Sequence, residues 1–147
     1  MGCKGIFDRY GLYPECHPES TAVISANERV AQMYGVPFIA GPEPNKFISE
    51  QDTIAFDDQE LEIRYVPGHA PGHLVFIDHS AKTVIAGDTL FSGSIGRTDL
   101  PGGNHELLLE KIVSELYSLP EDYVVYCGHG PSTTIGKEKS SNPFVRA

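Results

Sequence analysis

Between residues 52 and 87 the sequence writes two hairpins back to back, and this pair limits the fold more than any other feature. "DTIAF" and "LEIRYV" flank the acidic turn "DDQE", and "HLVFID" and "TVIAG" flank "HSAK". Short apolar runs bounded by turn-forming residues predict strands. The acidic run reads as a solvated turn. A later apolar run, "DYVVYCGHG", predicts a buried strand ending in Gly-His-Gly. Between them lies "NHELLLEKIVSELYSLP". Asn104 suits a helix N-cap there, Leu108, Ile112 and Leu116 fall on one face, and Pro120 follows the end. Strands that arrive as hairpins and alternate with helices build a mixed sheet with helices packed on it, not a parallel βα repeat.

The first third is different. "KGIFDRY" predicts a short helix stopped by Gly11, and "LYPECH" a short strand. Pro18 opens a second helix, "PESTAVISANERVAQMYG", with Gly35 just past its end. Val23, Val30 and Tyr34 recur at helical spacing and predict its buried face. Residues 36–51 are rich in proline and predict a loop, as does the glycine-rich "SGSIGRTDLPGG" at 92–103. The tail "STTIGKEKSSNPFVRA" predicts one or two helical turns. With no linker and 147 residues, the expectation is one domain, residues 1–147.

The net charge is −9, which gives no electrostatic footprint for a nucleic-acid backbone or an anionic membrane. A small-molecule substrate is the expected partner. Three scattered cysteines, Cys3, Cys16 and Cys127, form no Cys-x-x-Cys pair and fit a reducing compartment. No apolar run reaches the length of a membrane span, so the expected setting is the cytoplasm.

After each of three predicted strands, beside a glycine, comes a metal-binding side chain. His69 follows "EIRYV", Asp88 follows "TVIAG" and His129 follows "VVYCG". Two imidazoles and a carboxylate suit a divalent ion. Gly68, Gly87 and Gly128 beside them let the backbone come close. Ligands spread over separate strand ends favour a catalytic site over a closed structural one. Taken singly, each has a plainer reading as a turn residue or cap. His17, His79 and His105 read as solvated polar residues, and Cys127 as a buried inert thiol.

"PGHAPGH", then "AGDTLF", "GSIGRTDLPGG" and "YCGHGPSTTIGKEKSSNPF" resemble, in order and spacing, the second half of a metallo-β-lactamase-fold hydrolase. The short glyoxalase II-like proteins (hydroxyacylglutathione hydrolase-like) are the type it suggests. The resemblance implies an αββα fold of two mixed sheets with outer helices, here in truncated form. It implies that His69 binds a first metal, that Asp88 bridges two metals and is catalytic, and that His129 binds the second. His73 would support a ligand or its loop, and Arg97 would pair with Asp99 to hold the glycine-rich loop. Zinc is the implied ion, two in a complete site, with iron as the alternative. The implied chemistry is attack of hydroxide on a thioester or ester carbonyl.

The family pattern also carries a His-x-His-x-Asp-His motif just before residues like "FGCKGIFDRYGL". None of the six histidines here forms His-x-His, and the sequence opens "MGCKGIFDRYGL". The expectation is therefore a chain that begins past the motif, holds no ion or one weakly, and is impaired as an enzyme. Strands lost from the first sheet would leave an apolar face and an open edge, so a homo-oligomer is expected. Two alternatives stand beside the hydrolase: a persulfide-dioxygenase-like enzyme with one iron, and a non-catalytic remnant.

Overall fold

The structure is a computed structural model that describes residues 2–146, the side chain of Phe56 excepted. Its contacts gather into two compact units, Met1–Ile48 and Ser49–Ala147.

In the first unit, helix α1 (Gly2–Tyr10) ends where expected. Gly11 takes the left-handed conformation, and its N–H closes the helix on the carbonyl of Phe7 at 2.8 Å. Strand β1 (Glu15–Cys16) pairs in parallel with β2 (Lys46–Phe47), so the segment expected to be all loop contains a strand. Pro18–Ser20 form a 3₁₀ turn that leads into α2 (Thr21–Met33). His17 caps this turn, its Nδ1 accepting the N–H of Glu19 at 3.2 Å, so it is not simply a solvated polar residue. The predicted buried face of α2 is corrected. Val30 and Tyr34 are 44% and 65% exposed and Val23 is exposed too, whereas Ala31 is buried and Ile24 half-buried. The stripe is displaced by one position and narrowed. A unit of fewer than 50 residues has too little chain to cover a wide one.

The second unit is built on a six-stranded mixed sheet. Its strands are β3 (Thr53–Phe56), β4 (Gln59–Tyr65), β5 (Leu74–Asp78), β6 (Thr83–Gly87), β9 (Val124–Cys127) and β10 (Thr133–Thr134). A small hairpin, β7 (Leu90–Phe91) and β8 (Ser94–Ile95), falls within and beside the segment read as a glycine-rich loop. The spatial order is β10-β9-β6-β5-β4-β3. Both predicted hairpins form, and the first turns tighter than expected. Asp57, at φ 52°, and Asp58 make the turn, while Gln59 already pairs with Phe56.

All neighbours in this sheet are antiparallel except β6 and β9, which are parallel. Strand β4 runs antiparallel to β5, and β5 to β6, so β4, β6 and β9 point the same way. Their C-terminal ends lie along one edge of the sheet, and the candidate ligands follow those ends.

Alternation divides the sheet into two faces. Val75, Ile77, Val84 and Val125 are fully buried in the core that also holds Leu108, Ile112 and Leu116. The last three are the predicted face of α3 (His105–Lys111) and of the single π turn Ile112–Leu116 that continues it. Asn104 caps α3 as expected, its side chain accepting from the N–H of Leu107. The π turn is closed by Tyr117 N–H donating to the carbonyl of Ile112 at 2.9 Å. On the opposite face Ile85 and Tyr126, paired in register, are each about half exposed. Helix α4 (Ile135–Ser141) completes the unit. Among the described residues no helix is long and apolar enough to cross a membrane.

Candidate metal centre

The common direction of β4, β6 and β9 brings His69, Asp88 and His129 to one carboxylate. His129 Nδ1 lies 2.9 Å from Asp88 Oδ1, and His69 Nε2 lies 3.6 Å from Asp88 Oδ2. Each histidine therefore faces a different oxygen of Asp88. The loops after three strands meet although β4 and β6 are not neighbours, because β5 is the only strand between them.

Hydrogen bonds assign the ring protons. His69 Nδ1 is 2.8 Å from the backbone carbonyl of Arg97, which can only accept. Nδ1 thus carries a proton, and in the neutral ring Nε2, the nitrogen turned to Asp88, is the one able to bind a metal. His129 donates from Nδ1 to Asp88 in the same way, leaving its Nε2 lone pair on a side chain that is 81% exposed. A ring held by a carbonyl at one nitrogen and open at the other is the usual state of a metal-binding imidazole.

Close packing shapes the carboxylate's surroundings. A Cβ on Gly128 would overlap Asp88 Oδ1, and one on Gly96 would overlap the Asp88 carbonyl and stand 3.2 Å from His69 Cβ. Gly87 leaves room for the His73 ring, whose Cε1 would be 2.8 Å from an added Cβ. Gly68 is different from the expectation. Its missing side chain makes space for Leu108 of α3, so it serves helix packing and not His69 beside it.

His73 sits behind the cluster. Its Nε2 accepts the N–H of Asp88 at 3.2 Å, and its ring meets that of His69 edge to face at 5.9 Å. Burial above all holds its pKa below the ordinary imidazole value, which suits a neutral acceptor. Arg97 and Asp99 form a two-pronged ion pair, both contacts 2.7 Å. The pair holds Asp99 well below the usual carboxylate range, at about 2, chiefly through the hydrogen bond from Arg97.

Of the other histidines, His79 departs from its expected role as a solvated polar residue. It bridges Tyr123 Oη, at 2.8 Å, and Glu62 Oε2, at 2.5 Å. His105 stands 3.5 Å from Thr98 Oγ1. Cys127 is half-buried, and burial pushes its thiol up. Two neighbours of the centre escaped the sequence reading. Phe91 of β7 lies 6.4 Å, centroid to centroid, from the His129 ring. The carbonyl of Arg97 is invisible to any search for side chains.

The donor set can be tested against an ion. Ligands about 2.1 Å from a tetrahedral ion stand about 3.4 Å apart. The 3.6 Å between His69 Nε2 and Asp88 Oδ2 is close to such an edge. Among the described residues, however, no group of three or more His, Cys, Asp or Glu side chains surrounds one point. The residues fit an ion as part of its shell.

A family model for the metallo-β-lactamase superfamily matches residues 5–129, a stretch that contains all three residues. The chain belongs to the metallo-β-lactamase superfamily. It is 42% identical over 118 residues to the hydroxyacylglutathione hydrolase GloC of Haemophilus influenzae, covering 80% of this chain and 56% of that protein. It is 49% identical over 85 residues to the probable metallo-hydrolase YqgX of Bacillus subtilis, covering 58% of this chain and 40% of that one. The chain spans about half the length of such curated relatives. Among solved structures, the BLEG-1 B3 metallo-β-lactamase superposes with a TM-score of 0.88 at 30% identity, over 98% of this chain and 70% of that one. TTHA1623, solved in a di-iron-bound form, gives 0.88 at 32% identity with the same coverage. The expected metallo-β-lactamase fold is thus found.

Proposed function

We propose that this chain carries part of the catalytic centre of a glyoxalase II-like hydrolase acting on thioesters or related esters. The supporting observation is the shared carboxylate. Asp88 offers one oxygen toward His69 and the other toward His129, and both rings carry their proton on Nδ1. The likeness to GloC, named a hydroxyacylglutathione hydrolase, supports the choice of substrate class.

In this reading His69 and Asp88 would hold a first divalent ion, and His129, once its Nδ1 proton leaves or its ring turns, would hold a second with Asp88. Zinc is the proposed ion, and the di-iron form of TTHA1623 keeps iron as the alternative. What a divalent ion supplies at such a site is water acidic enough to give hydroxide near neutral pH, and polarisation of a carbonyl oxygen. The chain's own part is orientation. Arg97 fixes the His69 ring through its carbonyl, and His73 steadies the backbone of Asp88. The exposed His129 leaves one side of the centre open to a small substrate. Because among the described residues no three ligands close on one point, this chain alone would bind an ion weakly and turn over slowly. The unpaired cysteines and acidic charge support a reducing, cytoplasmic setting.

The test is a zinc titration by calorimetry on this chain and on His69→Ala and Asp88→Ala. Weak binding that both substitutions abolish is expected. Binding that survives both overturns the reading. A thioester assay on a protein that also supplies a His-x-His-x-Asp-His motif then addresses the substrate class.

A further inference from the structure

Glu138 is fully buried, yet among the described residues no lysine, arginine or histidine pairs with its carboxylate. It lies on α4, past the stretch matched by the family model. Its partners are hydrogen-bond donors. Thr133 Oγ1 bonds Oε1 at 2.5 Å, while Oε2 accepts from Asn142 Nδ2 at 2.8 Å and from the backbone N–H of Gly93 at 2.9 Å. Asn142, also fully buried, donates from the same nitrogen to the carbonyl of Ser94 at 3.1 Å. A buried carboxylate is costly unless such bonds are complete, so the arrangement is tightly determined.

What it grips matters more than how. Gly93 lies in the turn of the β7–β8 hairpin and Ser94 opens β8, and that hairpin leads into the centre on both arms. One arm follows Asp88 and Thr89. The other runs through Ile95 to Gly96, whose N–H bonds the Thr89 carbonyl at 2.9 Å, and then to Arg97, whose carbonyl holds His69 Nδ1. Two residues, Ile95 and Gly96, separate Ser94, whose carbonyl is gripped, from Arg97, whose carbonyl sets the His69 proton.

We propose that Glu138 is a positioning residue: through Gly93 and Ser94 it fixes the β7–β8 hairpin, and through the Arg97 carbonyl it fixes the tautomer and orientation of His69. This deepens the metal-centre reading but does not need an ion for its test. Only Oε2 touches the hairpin, whereas the Thr133 bond to Oε1 stays within the segment formed by β10 and α4. The two halves of one carboxylate therefore have separable roles.

The experiment reads the ring nitrogens of His69 by NMR in metal-free protein at about pH 8, where an ordinary imidazole is neutral. The unmutated chain should show almost pure Nδ1–H. Glu138→Met keeps the volume and removes both acceptors, and should give a mixture of the two tautomers. Glu138→Gln keeps an acceptor for Gly93 and Asn142, with its amide turned to the Thr133 hydroxyl, and should restore the original signal. Thr133→Val should lower the melting temperature and leave His69 unchanged. Zinc affinity, where the chain binds zinc, should fall roughly tenfold in Glu138→Met. A folded Glu138→Met with an unaltered His69 signal overturns the proposal, as does a Glu138→Gln that behaves like Glu138→Met. Should Glu138→Met fail to fold, hydrogen exchange in the unmutated chain decides. A protected Gly93 amide supports the grip, and one exchanging at the rate of an open turn refutes it. Failure of the metal reading alone would show as no zinc binding with the tautomer series intact.

Discussion

His69 Nδ1 lies 2.8 Å from the carbonyl oxygen of Arg97, 28 residues further along the chain. This contact decides which nitrogen of His69 is free, and it couples a candidate ligand on one loop to the backbone of another. The following consequences can be measured.

Asp88→Asn should weaken zinc binding far more than its small change in shape suggests. The substitution replaces one acceptor with an NH₂ group and removes the charge that both histidines face. Calorimetry should show at least a tenfold loss, on the scale expected for a changed ligand or its partner. Unaltered affinity would mean that Asp88 is not at the centre.

Gly128→Ala tests the close approach of backbone and carboxylate. The new Cβ would overlap Asp88 Oδ1, so either Asp88 or the end of β9 must move. A loss of about 1–3 kcal/mol in urea unfolding is expected, as for other over-packed sites. The His129 ring signals should shift with it. A variant as stable as the parent, with His129 undisturbed, would contradict the geometry.

Ile112→Ala should cost about 2–5 kcal/mol, because the side chain is fully buried in the core between helix and sheet. Val113, next to it but exposed, is the control, and its alanine variant should cost well under 1 kcal/mol. Chemical unfolding of both variants makes the comparison.

Acid should weaken the β3–β4 hairpin through Glu62. Burial alone would raise its pKa, but hydrogen bonds from Arg64 and His79, with their charges, outweigh this and hold it below the ordinary value. A carboxyl depressed in the folded state contributes stability above its unfolded pKa, about 4.3, and loses it as the pH falls through the folded value. Stability measured from pH 6 down to 3 should therefore drop less steeply in Glu62→Gln than in the parent. Identical acid limbs would remove Glu62 from the account.

Much of the second unit was legible because its residues obey one periodicity each. Leu108, Ile112 and Leu116 mark a helix face, and the two hairpins announce their turns. The α2 stripe was not legible, since Val23, Val30 and Tyr34 satisfy helical spacing as well as Ile24 and Ala31 do. Spacing alone does not say which side finds a partner. His69, Asp88 and His129 could be chosen as candidates from strand ends, but their shared carboxylate depends on the direction of β4, β6 and β9. Glu138 reads as one more helix-surface charge. Only tertiary structure shows it buried, and the Arg97 carbonyl has no letter of its own in any sequence.

The parallel pairing of β6 and β9 also sets an order of events. Antiparallel β5 and β6 can zip from their own turn, but β9 can join only after the whole segment carrying β7, β8 and α3 has been gathered. Closing so long a loop is slow compared with forming a hairpin. The topology therefore predicts that His129 reaches Asp88 after the β5–β6 hairpin has formed, as β9 docks.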